Sequence, residues 1–144
     1  MDETLHHLLM RFQVLRYKQM QRLAARLGLL AGQPKVLEFL LHHEGGEQKE
    51  IAGFYHIEPA TVTSLLDRME QRGLIERRQR DGNRRSYHVY LTEKGRQCAQ
   101  QAYQLLLEQD ECAFAGFDEA ERRQFLSMLQ RICRNLAEAS AAEA

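Results

Sequence analysis

Apolar residues recur at three- and four-residue intervals through most of the chain, and the recurrence switches to every second position in one short stretch. Leu5, Leu8, Leu9, Phe12, Leu15, Met20, Leu23 and Leu27 predict a long amphipathic first helix that Gly28 ends. A second helix begins near Pro34, carries Val36, Leu37, Leu40 and Leu41, and stops at Gly45-Gly46. A short third runs through Lys49, Glu50, Ile51 and Ala52. Pro59 opens a fourth, whose inward face is Val62, Leu65, Leu66 and Met69. Its other face holds Ala60, Thr61, Thr63, Ser64, Asp67 and Arg68: small or hydrogen-bonding groups and one guanidinium. Two short helices joined by a tight turn, the second apolar inside and small and polar outside, are the pattern of a helix-turn-helix.

Gly73 stops the fourth helix, and the period then becomes two. Leu74 to Gln79 and Ser86 to Leu91 read as strands, the second alternating Tyr87, Val89 and Leu91 against Ser86, His88 and Tyr90. The connection Arg80-Asp81-Gly82-Asn83-Arg84-Arg85 has turn residues at its tip and arginines on both shoulders. Such a hairpin is a wing whose arginines suit a phosphate or a narrow minor groove. Thr92 caps a long helix over about 93–114, and Asp118 with Glu121 forms the capping box of a last helix carrying Phe125, Met128, Leu129, Ile132, Cys133 and Leu136. The alanine-rich stretch 140–144 is expected to fray. The fold class expected is mainly α with a small β-hairpin wing.

Charge sharpens this picture. Lys plus Arg equal Asp plus Glu at 20 each, which by itself does not suggest a nucleic-acid partner. The distribution does: residues 68–85 hold seven arginines against Glu70, Glu76 and Asp81, whereas residues 108–144 hold eight acids and four arginines. No run approaches the ~20 apolar residues of a membrane span, and the acidic Met1-Asp2-Glu3 is unlike a signal peptide, so a cytoplasmic protein is expected. Cys98, Cys112 and Cys133 form no C-x-x-C pair and are read as small buried hydrophobes. No H-E-x-x-H, G-x-S-x-G or P-loop is present, and no nucleophile has a recognisable setting, so an enzyme is not expected.

The most distinctive run is Pro59-Ala60-Thr61-Val62-Thr63 through Leu65-Leu66-Asp67-Arg68-Met69-Glu70-Gln71-Arg72-Gly73-Leu74-Ile75-Glu76-Arg77, followed by Arg84-Arg85-Ser86 and Leu91-Thr92-Glu93-Lys94-Gly95. In this order and spacing, with Gln33 to Leu37 before it, the chain resembles the MarR family of bacterial regulators over nearly its whole length. The resemblance implies a winged helix-turn-helix lobe over 33–92, a connecting helix over 93–114, and dimerisation helices over 1–30 and 112–139 that interlock between two copies. Leu5, Leu8, Leu9, Phe12, Phe125, Met128, Leu129, Ile132 and Leu136 would line that seam. Two long amphipathic helices at the chain ends exceed what so small a core needs, although an ordinary intramolecular bundle is the alternative.

The partner implied is a pseudo-palindromic operator in double-stranded DNA. Pro59, Ala60, Thr61, Thr63, Ser64 and Arg68 would face the major groove, and Arg78, Arg80, Asn83, Arg84 and Arg85 would sit on the wing. The family's wing carries an Asp two residues before its minor-groove arginine; here Asn83 precedes Arg85, and Asp81 is the acid that could substitute. No cofactor is required, but a small aromatic or phenolic effector is implied, held among 9–17, 36–43 and 99–107. A zinc-sensing alternative rests on His42, His43, Glu108 and Cys112, the last two one helical turn apart; histidines at a helix C-terminus are also favoured by the helix dipole alone. A winged helix used for protein–protein contact is the remaining alternative.

Overall fold

In the computed structural model, which describes residues 3–79 and 87–144, the chain order is α1 (Leu5–Arg26), α2 (Gln33–His42), β1 (Gly46–Glu47), α3 (Gln48–Tyr55), α4 (Pro59–Gln71), β2 (Ile75–Gln79), β3 (Tyr87–Leu91), α5 (Glu93–Ala113) and α6 (Glu119–Ala142). The helices start where local chemistry supplies partners for their first N–H groups. The Thr4 hydroxyl accepts from the His7 N–H, Pro34 and Pro59 occupy first turns where no N–H is needed, and Asp118 and Glu121 bond reciprocally at 2.8 and 2.9 Å. A second capping box, Glu47 with Glu50, opens α3.

The chain divides into two compact units, Met1–Glu108 and Gln109–Ala144. The core of the first is built from α2 (Val36, Leu37, Leu40), α3 (Ile51), α4 (Val62, Leu66, Met69), the strands (Ile75, Val89, Leu91) and Ala99 of α5. Burying such side chains contributes about 1.5–3 kcal/mol each before chain entropy is set against it. Met20 and Leu23 of α1 pack with Ala102 and Leu106 of α5 in a smaller cluster. In the second unit Phe114 sits edge-on to Phe117 and Phe125, and the Arg122 guanidinium lies over the Phe114 ring at 4.6 Å.

The sheet has order β1-β3-β2, all antiparallel, with Gly46 opposite Val89 and Arg77 opposite Val89 on the other side. The two-residue β1 was not expected, and it pairs with β3. His88, anticipated on the wet face, is buried and hydrogen-bonds the Gly45 carbonyl at 2.9 Å through Nδ1. That bond to the segment leading into β1 gives the imidazole a partner away from solvent.

Two further expectations meet the structure here. Residues 140–142, part of the stretch expected to fray, are helical and continue α6 to Ala142, in keeping with the high helix propensity of alanine. Cys112 and Cys133 are exposed and only Cys98 is half-buried, because each of the first two falls on a helix face that the chain's own core does not cover.

Candidate nucleic-acid interface

The turn between α3 and α4 is made by His56, in the left-handed region at φ 51°, with Ile57 donating back to the Ala52 carbonyl at 3.0 Å. Along α4, Val62, Leu66 and Met69 are completely buried. This anchors the helix on one side and turns Pro59, Ala60, Thr61, Thr63, Ser64 and Arg68 outward, all of them exposed. The outward side chains are short, which lets the α4 backbone approach a partner closely.

Thr63 is not a free hydroxyl. Its Oγ1 donates to the Pro59 carbonyl at 3.0 Å and accepts from Gln48 Nε2 at 2.8 Å. Gln48, the first residue of α3, was not singled out from the sequence, since the contact spans 15 positions. Gln48 also lines an open crease of about 520 Å³ with Lys49, Ala52, Gly53, Ile57, Pro59 and Tyr87.

The hairpin is joined to α4 by Arg77. Its Nη2 donates to Asp67 at 2.5 Å and its Nε to Glu70 at 3.0 Å, with only 18% of the side chain exposed. The hydrogen bond to Glu70, followed by that to Asp67, raises the Arg77 pKa above its ordinary value against the opposing effect of burial. Alternation along β2 places Arg78 on the other face of the hairpin, where it pairs with Glu76 at 2.9 Å and lies 4.5 Å over the Tyr90 ring. Arg80, Asn83, Arg84 and Arg85, together with Asp81, lie outside the described residues.

A sequence model of the MarR family matches residues 29–87, the segment that holds α2, α3, α4 and β2 and ends at the first residue of β3. The chain is 30% identical to the transcriptional repressor CouR, solved on a 23-mer DNA duplex, with TM-score 0.79 and coverage of 90% of this chain and 92% of that one. The chain belongs to the MarR family.

MarR itself is 27% identical, with TM-score 0.82 over 97% of this chain and 95% of its own. A protein assigned as transcriptional regulator of the hcr operon in Thauera aromatica is 25% identical over 134 residues, covering 92% of this chain and 81% of that relative. The likeness therefore extends from the central winged helix to both terminal helices, and the chain is a winged-helix transcriptional regulator of this family.

Of the residues in the zinc alternative for this MarR-family chain, His42, His43 and Glu108 belong to the first compact unit and Cys112 to the second. Among the described residues no three His, Cys, Asp or Glu side chains are placed to hold a metal ion. Instead, His42 and His43 hydrogen-bond through Nδ1 to the Glu38 and Phe39 carbonyls at 2.9 and 3.2 Å, occupying the open end of α2. None of the described helices is long and apolar enough to cross a membrane. An open groove of about 610 Å³ lies between α1 and α5, lined by Arg26, Leu27, Gln97, Gln100, Gln101, Gln104 and Leu105. It overlaps the effector region expected from the sequence only at its α5 side.

Proposed function

We propose that this MarR-family protein binds a pseudo-palindromic operator in double-stranded DNA as a homodimer, represses transcription there, and is released by a small aromatic or phenolic ligand. The observation that carries the reading is the α4 surface, in which Thr61, Thr63, Ser64 and Arg68 stand exposed on a helix pinned by three completely buried side chains. Set in a major groove, these groups read base edges. Arg78, Arg80, Arg84 and Arg85 neutralise phosphates, with Arg85 entering the minor groove. CouR, a repressor solved on a DNA duplex, supports the same use of the fold.

The homodimer is supported by apolar side chains that the chain leaves uncovered. Leu5, Leu8, Phe12, Leu15, Phe125, Met128 and Leu136 are all more than two-fifths exposed, and Leu9, Leu129 and Ile132 are half-buried. Two copies sealing these faces would present two α4 helices to half-sites about one DNA turn apart. For the ligand, the groove between α1 and α5 combines the Arg26 guanidinium with Leu27 and Leu105, a pairing suited to a weak aromatic acid.

The test is a titration of the protein's own upstream DNA against a scrambled duplex across a range of salt, with and without a panel of aromatic acids. Affinity should fall linearly on a log–log salt plot, and Arg85→Ala should reduce that slope by about one. Salt-insensitive failure to bind any duplex overturns the reading and favours a winged helix that contacts another protein.

A further inference from the structure

The outer face of the helix-turn-helix includes a side chain that belongs to α3 rather than α4. Gln48 Nε2 donates to Thr63 Oγ1 at 2.8 Å, and the Thr63 hydroxyl passes its single proton to the Pro59 carbonyl at 3.0 Å. The direction of this relay follows from valence. With its proton given to Pro59, the Thr63 oxygen can only accept, so the Gln48 amide must turn an N–H toward it.

What remains on the amide is then narrowed. One N–H is used, leaving the carbonyl oxygen and the second N–H on the same planar group, and these stand side by side when Thr63 takes the N–H trans to the oxygen. Gln48 makes no other side-chain hydrogen bond among the described residues, and it is half-exposed at the rim of the crease it shares with Lys49 and Pro59. One acceptor beside one donor complements the major-groove edge of adenine, whose N6 amino group donates and whose N7 accepts. Guanine presents two acceptors, O6 and N7, and would need both amide N–H groups. Cytosine offers only a donor and thymine only an acceptor, so each would leave half of the amide unpaired. An unrestrained glutamine could turn to suit several bases; one held by Thr63 cannot.

We propose that Gln48 and Thr63 form a single reading unit for one adenine in each half-site. Gln48 is the specificity-determining group and Thr63 the positioning residue that sets its orientation. The inference rests on the reading that α4 enters the major groove, and adds to it a residue from the preceding helix and the base that it selects.

The experiment is selection from a pool of duplexes randomised across one half-site, sequenced after binding to wild type, Thr63→Ser, Thr63→Val and Gln48→Glu. Circular dichroism and affinity for scrambled duplex serve as controls on folding. Wild type and Thr63→Ser should enrich adenine at one shared position. Thr63→Val, which keeps the shape and removes the hydroxyl, should lose about tenfold of that preference. Gln48→Glu, now only an acceptor, should shift the position toward cytosine, whose N4 donates; a merely structural tie would not change which base is chosen. An unchanged adenine preference in both Thr63→Val and Gln48→Glu overturns this proposal alone, as does wild-type binding with no base preference. Failure of the wild type to bind any duplex overturns the DNA reading together with it.

Discussion

The Thr92 hydroxyl donates to the Gly73 carbonyl at 2.6 Å and accepts the Gly95 N–H at 3.0 Å, so one side chain both caps α5 and holds the residue that ends α4. Two more bonds cross the same junction: Thr92 N–H to the Leu74 carbonyl at 3.1 Å, and Lys94 Nζ to the Arg72 carbonyl at 2.8 Å. Gly73 turns the chain here at φ +72°, and Gly95 lets α5 approach so closely that a Cβ on it would lie 1.7 Å from the Leu74 oxygen. The end of the proposed recognition helix and the first turn of α5 are therefore tied by three hydrogen bonds and a close backbone approach.

Gly95→Ala should destabilise the fold by at least about 1–3 kcal/mol through overpacking against backbone that cannot yield. In an open helix the same change stabilises by roughly 0.5–1 kcal/mol, so the sign of the shift in urea midpoint reads the contact directly. Thr92→Val removes the cap and the Gly73 bond and should cost about 1–2 kcal/mol, while Thr92→Ser should recover most of it. Equal stability of Thr92→Val and wild type would mean that the junction holds without its hydroxyl.

Arg77 bridges two carboxylates with one planar group, so Arg77→Met should cost about 1 kcal/mol, held to that value because Asp67 and Glu70 are each nearly half exposed. Arg77→Lys should not rescue it, since a point ammonium cannot satisfy both acids in the geometry of the fork. Urea titrations of the three proteins at low and high salt provide the measurement. A lysine variant as stable as wild type would show that charge alone ties the hairpin to α4.

Much of this arrangement was legible in sequence because it is local. The inward stripe Val62, Leu66 and Met69, the Asp118–Glu121 box and the switch of period after Gly73 each depend on neighbours within a helical turn or a strand. What escaped was set by residues far apart in sequence. His88 is buried against the Gly45 carbonyl, 43 positions away; Gln48 met Thr63 across the turn between two helices; Gly95 was needed because α5 starts against Leu74. Arg77 looked like one more basic residue in an arginine-rich run until Asp67 and Glu70, on another element, proved to face it. Family likeness supplied the architecture, but not these pairings.

Cys98 should be the slowest of the three cysteines to react with iodoacetamide. Burial pushes its thiol above the ordinary value, with Arg72 and Lys94 pulling weakly the other way, whereas Cys112 and Cys133 are exposed. The sign for stability follows from the same shift. The unfolded chain loses this proton at lower pH than the fold does, so the Cys98 contribution is intact below the ordinary thiol value and is lost as pH rises toward the raised one. Mass spectrometry after timed alkylation at several pH values orders the sites. Labelling of Cys98 ahead of Cys112 would show that the thiol is open to solvent.

Phe12→Glu tests the proposed dimer with little risk to the lobe, because no residue of α1 before Met20 is buried within the chain and Phe12 is half exposed. The same holds along α6, where none of the 24 residues is buried and Phe125, Met128 and Leu136 are each left about half exposed. A charge placed in a sealed apolar seam is costly, whereas on an open surface it changes stability by no more than about 0.5 kcal/mol. Wild type should therefore sediment as a dimer with a melting temperature that rises with protein concentration. Phe12→Glu should sediment as a folded monomer with an unchanged helical spectrum. Its affinity for a full operator should fall toward that for a single half-site, since the second α4 is no longer delivered with the first. A Phe12→Glu protein that remains dimeric and keeps its operator affinity would place the contact between copies elsewhere on the chain.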